Sequence, residues 1–157
     1  MANTATDTKD KINAAKATLA NTPAVIEGKV LNGEFAARIE SAQPGVFKTG
    51  SFGVKIQYGL EGTGVNNRKA YENIVLQYKT GEDTKYGLSS LKRRLMAAGL
   101  SSDEINAFTV PSPSDVLEAG NYGDFPTLHG LKVMLSLDST RTYNGKNVTD
   151  IKKVYSR

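Results

Sequence analysis

Phe47-Lys48 and the run Arg141-Thr142-Tyr143-Asn144-Gly145-Lys146 hold the residues of this chain whose types and spacing have the clearest chemical use. Each sets an aromatic ring beside cations in a segment punctuated by turn residues, with Gln43-Pro44-Gly45 and Gly50 around the first and Asn144-Gly145 inside the second. An unpaired polynucleotide needs both kinds of group. Cations replace the counterions of its phosphates, and an aromatic face stacks on an exposed base for about 1–3 kcal/mol per base. Each residue also has a plain structural use: Phe47 can plug one end of a barrel and Tyr143 can cover its own hairpin, with the lysines merely solvated.

The rest of the chain offers no competing reaction chemistry. Glu61-Gly62-Thr63-Gly64 lacks the Gly-Lys-Ser/Thr ending with which a P-loop holds phosphate and magnesium, and it reads as a simple turn. His129 is the only histidine, which excludes a histidine-based metal cluster, and no nucleophile motif accompanies it. Glu82-Asp83 fits a turn after Gly81 and Asp103-Glu104 fits a helix start, each without a second set of metal ligands. No enzymatic activity, metal, cofactor or small-molecule substrate is expected. Lys92-Arg93-Arg94, the densest basic run, reads as the solvated side of an amphipathic helix, with a second phosphate contact as the alternative. Lys152-Lys153 either adds to the positive surface or protects an edge strand.

Length and composition set the frame for these residues. A chain of 157 residues has room for one domain with a flexible end. The net charge of +4 comes from 20 basic residues against 16 acidic ones, so the lean towards polyanions is mild and the placement of charge must decide. No apolar run approaches the roughly 20 residues that span a bilayer, and the N-terminal segment lacks a signal peptide's apolar stretch. Cysteine is absent, which fits a reducing compartment. A cytoplasmic protein with no membrane association is therefore expected.

Residues 1–24 carry only Ile12 and Leu19 as large apolar residues and read as a flexible N-terminal arm, with the folded domain over residues 25–157. Glu34–Ser41 alternates Phe35, Ala37 and Ile39 with Ala36, Arg38 and Glu40, the period of a half-buried strand, and Gln43-Pro44-Gly45 reads as its end. Asn32-Gly33 reads as a tight turn ahead of it. A second strand places Phe52, Val54, Ile56 and Tyr58 on one face, and a third, Lys69–Tyr78, turns Ala70, Ile74 and Leu76 inward. Ser89 or Ser90 reads as the cap of a helix from Leu91 to Gly99, and Ser101 with Glu104 as the capping box of a short second helix. Val110–Pro126 reads as an irregular connection. Leu131, Val133, Leu135 and Leu137 then alternate strictly, Asn144-Gly145 marks a hairpin, and Val148–Tyr155 returns with a spacing of three that implies a bulge or an edge strand.

Three strands, one or two short helices and a closing strand pair make a mainly β chain. The order is that of a five-stranded OB-type Greek-key barrel with a helix between strands 3 and 4. In such barrels the loops after strands 1 and 4 flank a binding face on strands 2 and 3. Here those loops carry Phe47, Lys48, Arg141, Tyr143 and Lys146, and the face presents Lys55, Gln57, Lys69 and Tyr71, with Arg68 just before it.

Several segments together resemble the OB-fold single-stranded-DNA-binding proteins of bacteriophages. The likeness rests on Gly33-Glu34-Phe35-Ala36-Ala37-Arg38-Ile39-Glu40-Ser41-Ala42, on Val54–Tyr58, on Leu91-Lys92-Arg93-Arg94-Leu95-Met96-Ala97-Ala98-Gly99-Leu100 and on the closing strand–Tyr143-Asn144-Gly145-Lys146–strand. It implies non-catalytic coating of single strands in phage replication, recombination or repair, in the host cytoplasm. It also implies that Phe47, Lys48, Lys55, Lys69, Tyr71, Arg141, Tyr143 and Lys146 form the binding surface. Many single-strand binders end in an acidic tail that recruits replication enzymes, whereas this chain ends Lys152-Lys153-Val154-Tyr155-Ser156-Arg157, so recruitment by such a tail is not expected. Two other readings stay open: an RNA-binding OB protein, and a structural phage or virion protein whose barrel serves protein–protein assembly. The sequence leaves open whether the chain forms a homo-oligomer.

Overall fold

A computed structural model describes residues 31–62, 64–65, 68–119 and 124–157, and among these described residues there are seven strands and three helices. The arm expected over residues 1–24 and the domain start near Val25 lie outside the described residues. The strands are β1 (Gly33–Val46), β2 (Phe52–Glu61), β3 (Lys69–Gln77), β4 (Lys132–Asp138), β5 (Thr142–Tyr143), β6 (Lys146–Asn147) and β7 (Asp150–Ser156). The helices α1 (Gly87–Ala97), α2 (Ser102–Ala107) and α3 (Pro113–Ala119) lie between β3 and β4 in the chain, with a single 3-10 turn at Pro126–Leu128.

Five strands form one antiparallel sheet in the order β3-β2-β1-β4-β7, and β5 and β6 form a separate ribbon. The sheet is strongly curled, and α1 packs against both edge strands, β3 and β7. Its inner face buries Val54, Ile56, Tyr58 and Leu60 of β2, Ile74 and Leu76 of β3, and Val133, Leu135 and Leu137 of β4. Leu91 and Leu95 of α1 and Leu128 are buried as well. The edge position and register shift of β7 agree with its irregular apolar spacing. Among the described residues no helix is long and apolar enough to cross a membrane.

β1 does not stop at Gln43-Pro44-Gly45 as expected; it runs on to Val46, pairing Pro44 with Val54. Proline is tolerated because it falls on the edge turned away from β2. β4 accompanies β1 only as far as Arg38. Beyond it, the Ala42 carbonyl accepts from Phe125 N at 2.8 Å on that same edge, and two residues on the nitrogen of Pro44 has no ladder bond to make there. Halfway along, Ile39 pairs with Tyr58 and Ser41 with Gln57, which leaves Glu40 as an extra, bulged residue.

Tertiary contact overrides local signals at α1. The helix begins at Gly87, not after Ser89 or Ser90, and its N-cap Tyr86 makes no side-chain cap bond. A Cβ on Gly87 would collide with the Val75 carbonyl and the Thr84 hydroxyl, so close approach to β3 sets the start. The end is as expected: Gly99 adopts φ 93°, with Gly99 N donating to Met96 O at 3.0 Å and Leu100 N to Leu95 O at 3.1 Å. The Ser101–Glu104 capping box forms at α2. The connection after Val110 is not wholly irregular, because α3 starts at Pro113 with Ser112 Oγ accepting from Asp115 N at 3.2 Å.

Candidate nucleic-acid interface

Strand register decides which side chains share the outer sheet face, since alternate residues point to opposite sides. Three rows cross β1, β2 and β3: Gln43, Lys55 and Asn73; Ser41, Gln57 and Tyr71; Arg38, Gly59 and Lys69. Lys55, Lys69, Tyr71 and Asn73 are exposed, as the alternation predicts. The β1–β2 turn is tight, with Phe47 N donating to Ser51 O at 2.8 Å and Gly50 N to Phe47 O at 2.9 Å. It turns Phe47 half-inward and leaves Lys48 in solvent. Phe47, Lys48, Lys55 and Asn73 line one groove of about 630 Å³. Three of the nine expected site residues therefore meet in one concavity.

At the other end of the face the cations are already paired. Lys69 Nζ donates to both Glu40 oxygens, at 2.7 and 2.8 Å, and Gln57 donates to the same carboxylate at 2.8 Å. Arg38 reaches Glu61 at 3.0 Å and Glu40 at 3.4 Å, and Arg157 reaches Glu61 at 2.5 Å. Lys69 and Gln57 hold the Glu40 carboxyl below the usual carboxylate range, and Arg157 and Arg38 do the same for Glu61. A Cβ on Gly59 would meet the Glu40 carboxylate, so a side chain here would push that carboxylate off its present place beside Lys69 and Gln57. Arg68 is half-buried ahead of β3, its N–H donating to Val65 O at 2.9 Å.

The β5–β6 ribbon carries the remaining three residues. Asn144 and Gly145 sit at φ 54° and 77°, as the two centre positions of a type I′ turn require. Tyr143 and Lys146 are exposed on it. Arg141 is clamped by Asp150, with bonds of 2.9 and 2.7 Å, and this pairing lowers the Asp150 pKa. At the root, Ser139 N donates to Asn32 Oδ1 at 2.8 Å and the Ser139 carbonyl accepts from Asn147 at 2.7 Å. The ribbon leaves the sheet where Leu137 pairs with Gly33, whereas the Phe47 turn lies beyond the Val46–Phe52 pair. The two loops thus stand past opposite ends of β1, and Arg141, Tyr143 and Lys146 do not line the Phe47 groove.

No family model and no curated protein matches this chain.

Sequence reasoning missed Tyr78, Lys79, Lys85 and Tyr86 on the β3–α1 loop. Tyr78 and Tyr86 are 53% and 64% exposed, and Lys85 Nζ lies 5.3 Å from the Tyr86 ring centre. The signal was present as a mirrored Tyr-Lys and Lys-Tyr pair around Gly81. The loop is held in shape by Tyr78 N donating to Glu82 O at 2.8 Å and Thr84 N to Leu76 O at 2.9 Å. The basic run on α1 also differs from expectation. Lys92 and Arg93 are solvated, but Arg94 turns inward and grips Glu72 through Nε at 3.2 Å and Nη2 at 2.5 Å. Position 94 follows Leu91 by three residues, which puts it at the margin of the buried stripe. Tyr58, fully buried, donates to the same Glu72 at 2.7 Å, and burial with the Glu72 charge pushes its phenol pKa up. His129 Nε2 lies 3.3 Å from Asp124, and no serine or threonine hydroxyl bonds to it among the described residues.

Proposed function

We propose that this chain is a non-catalytic single-stranded-DNA-binding protein with little sequence preference, built as a five-stranded OB-type Greek-key barrel. Support for the barrel comes from a long β1 shared between β2 and β4, the order β3-β2-β1-β4-β7, and helices intervening between β3 and β4. One observation carries the binding reading: Lys48 and Lys55 share a groove with Phe47, have no carboxylate partner among the described residues, and adjoin a face that exposes Tyr71. Cations there would contact phosphates and rings would stack on bases of any identity, which is why sequence preference should be slight. A role in coating strands during phage replication, recombination or repair rests on the resemblance given above.

Titration of the protein into fluorescent oligo-dT, with a matched duplex and an RNA alongside at several salt concentrations, tests the proposal. Tight binding to oligo-dT that weakens with salt, and weak duplex binding, is the expected result. Preference for the RNA would reassign the strand. Absence of binding at low salt would overturn the reading and turn the barrel towards protein assembly.

A further inference from the structure

We propose that the groove between the β3–α1 loop and the β1–β2 turn is a second base-stacking subsite, occupied by the same unpaired DNA strand as it leaves the sheet face. The inference rests on the strand-binding reading. This groove, of about 900 Å³, is lined by Tyr78, Lys79, Lys85 and Tyr86. It shares Thr49, Ser51, Asn73 and Val75 with the Phe47 groove, so the two form one continuous track. The junction is closely packed: a Cβ on Gly50 would lie 2.9 Å from Cγ of Lys79, so the lysine stem rests on the Phe47 turn.

Charge complementarity identifies the occupant. Two exposed tyrosines each stand next to a lysine in the chain, and neither Lys79 nor Lys85 has a carboxylate partner among the described residues. The one acid in the walls, Glu72, is engaged by Arg94 and Tyr58, and Glu82 and Asp83 of the same loop are not among the walls. Rings for bases and uncompensated cations for phosphates are the pairing an unpaired polyanion recognises.

The test is Tyr78→Ser with Tyr86→Ser, serine being chosen at position 86 because it is a favoured N-cap residue and so should not weaken the start of α1. Affinity is read against oligo-dT of increasing length, beside Lys79→Gln with Lys85→Gln. The tyrosine pair should weaken binding of long oligonucleotides by at least about fivefold per ring and leave the shortest ones that bind unaffected. The lysine pair should reduce the salt slope by about 1.4, at roughly 0.7 per phosphate contact. Wild-type behaviour of both variants on long oligo-dT would overturn the subsite while leaving the Phe47 groove standing. A wild-type protein that binds no strand would overturn both.

Discussion

At the β1–β2 end of the sheet face, Lys48, Lys55, Lys79 and Lys85 stand beside Phe47, Tyr78 and Tyr86 without carboxylate partners among the described residues. At the end where the β5–β6 ribbon departs, Arg38, Lys69, Arg141 and Arg157 each grip Glu40, Glu61 or Asp150. These two groups of four cations differ in availability. A paired cation must release one anion to take another, so the exchange gains little. An unpaired lysine releases only mobile counterions to bulk water. Charge count along a chain is therefore a weak guide to where a polyanion will sit, and the ion-pair map is a better one.

The largest expected effect falls on the unpaired end. Replacing Lys48, Lys55, Lys79 and Lys85 with glutamine should lower the salt slope of oligo-dT binding by about 2.8, at roughly 0.7 per lysine. Arg141→Gln should leave the slope unchanged; an equal loss per residue at the two ends would erase the distinction between them. Next in size is the pair of rings. Phe47→Ala combined with Tyr143→Ala should cost about 1–3 kcal/mol of binding for each lost stack with the fold intact, and the single variants should assign most of that cost to Phe47. An unchanged affinity in the folded double variant would remove both rings from the site.

A smaller change runs the other way. Glu40→Gln releases Lys69 and should strengthen low-salt binding several-fold, while costing about 1 kcal/mol of stability measured by urea unfolding. Weaker binding would show that Lys69 contributes only through its pair. The smallest effect is in the pH dependence of stability. Glu40 and Glu61 are held below their ordinary values in the fold, so the ionised form favours the folded chain. Their contribution is complete above the unfolded value of roughly 4.3 and fades as pH falls through the lowered folded values. Thermal unfolding from about pH 7 to about pH 3 should show a decline at the acid end that is shallower in Glu40→Gln.

Most strands were legible because β2 and β4 bury one alternating face, and alternation is a local property. Pro44-Gly45 reads as a break because proline removes a donor, and whether that donor is needed depends on a neighbouring edge far along the chain. The start of α1 depends on where Gly87 can approach β3, which no cap residue announces. α3 carried its signal in Ser112-Pro113-Ser114-Asp115, hidden among residues that also mark loops. At the candidate site the Phe47-Lys48 turn was legible because it is contiguous. The capture of Lys69 by Glu40 was not, since the two lie 29 positions apart and meet only through strand register. Arg94 was misassigned for a similar reason: its partner Glu72 belongs to another element.

The extra residue in β1 has the character of a reading-frame change. Before it the buried positions are odd-numbered, Ala37 and Ile39; after it they are even-numbered, Ala42 and Pro44. Without Glu40, Ile39 against Tyr58 and Ser41 against Gln57 would be consecutive pairs, and Ala37, Ile39, Ala42 and Pro44 would still share the buried face in plain alternation. What the strand would lose is the local bend and added twist of a bulge, together with the carboxylate to which Gln57 of β2 and Lys69 of β3 both donate. The numbering changes frame at Glu40 and the buried face does not, so the added residue serves the outer surface and not the core.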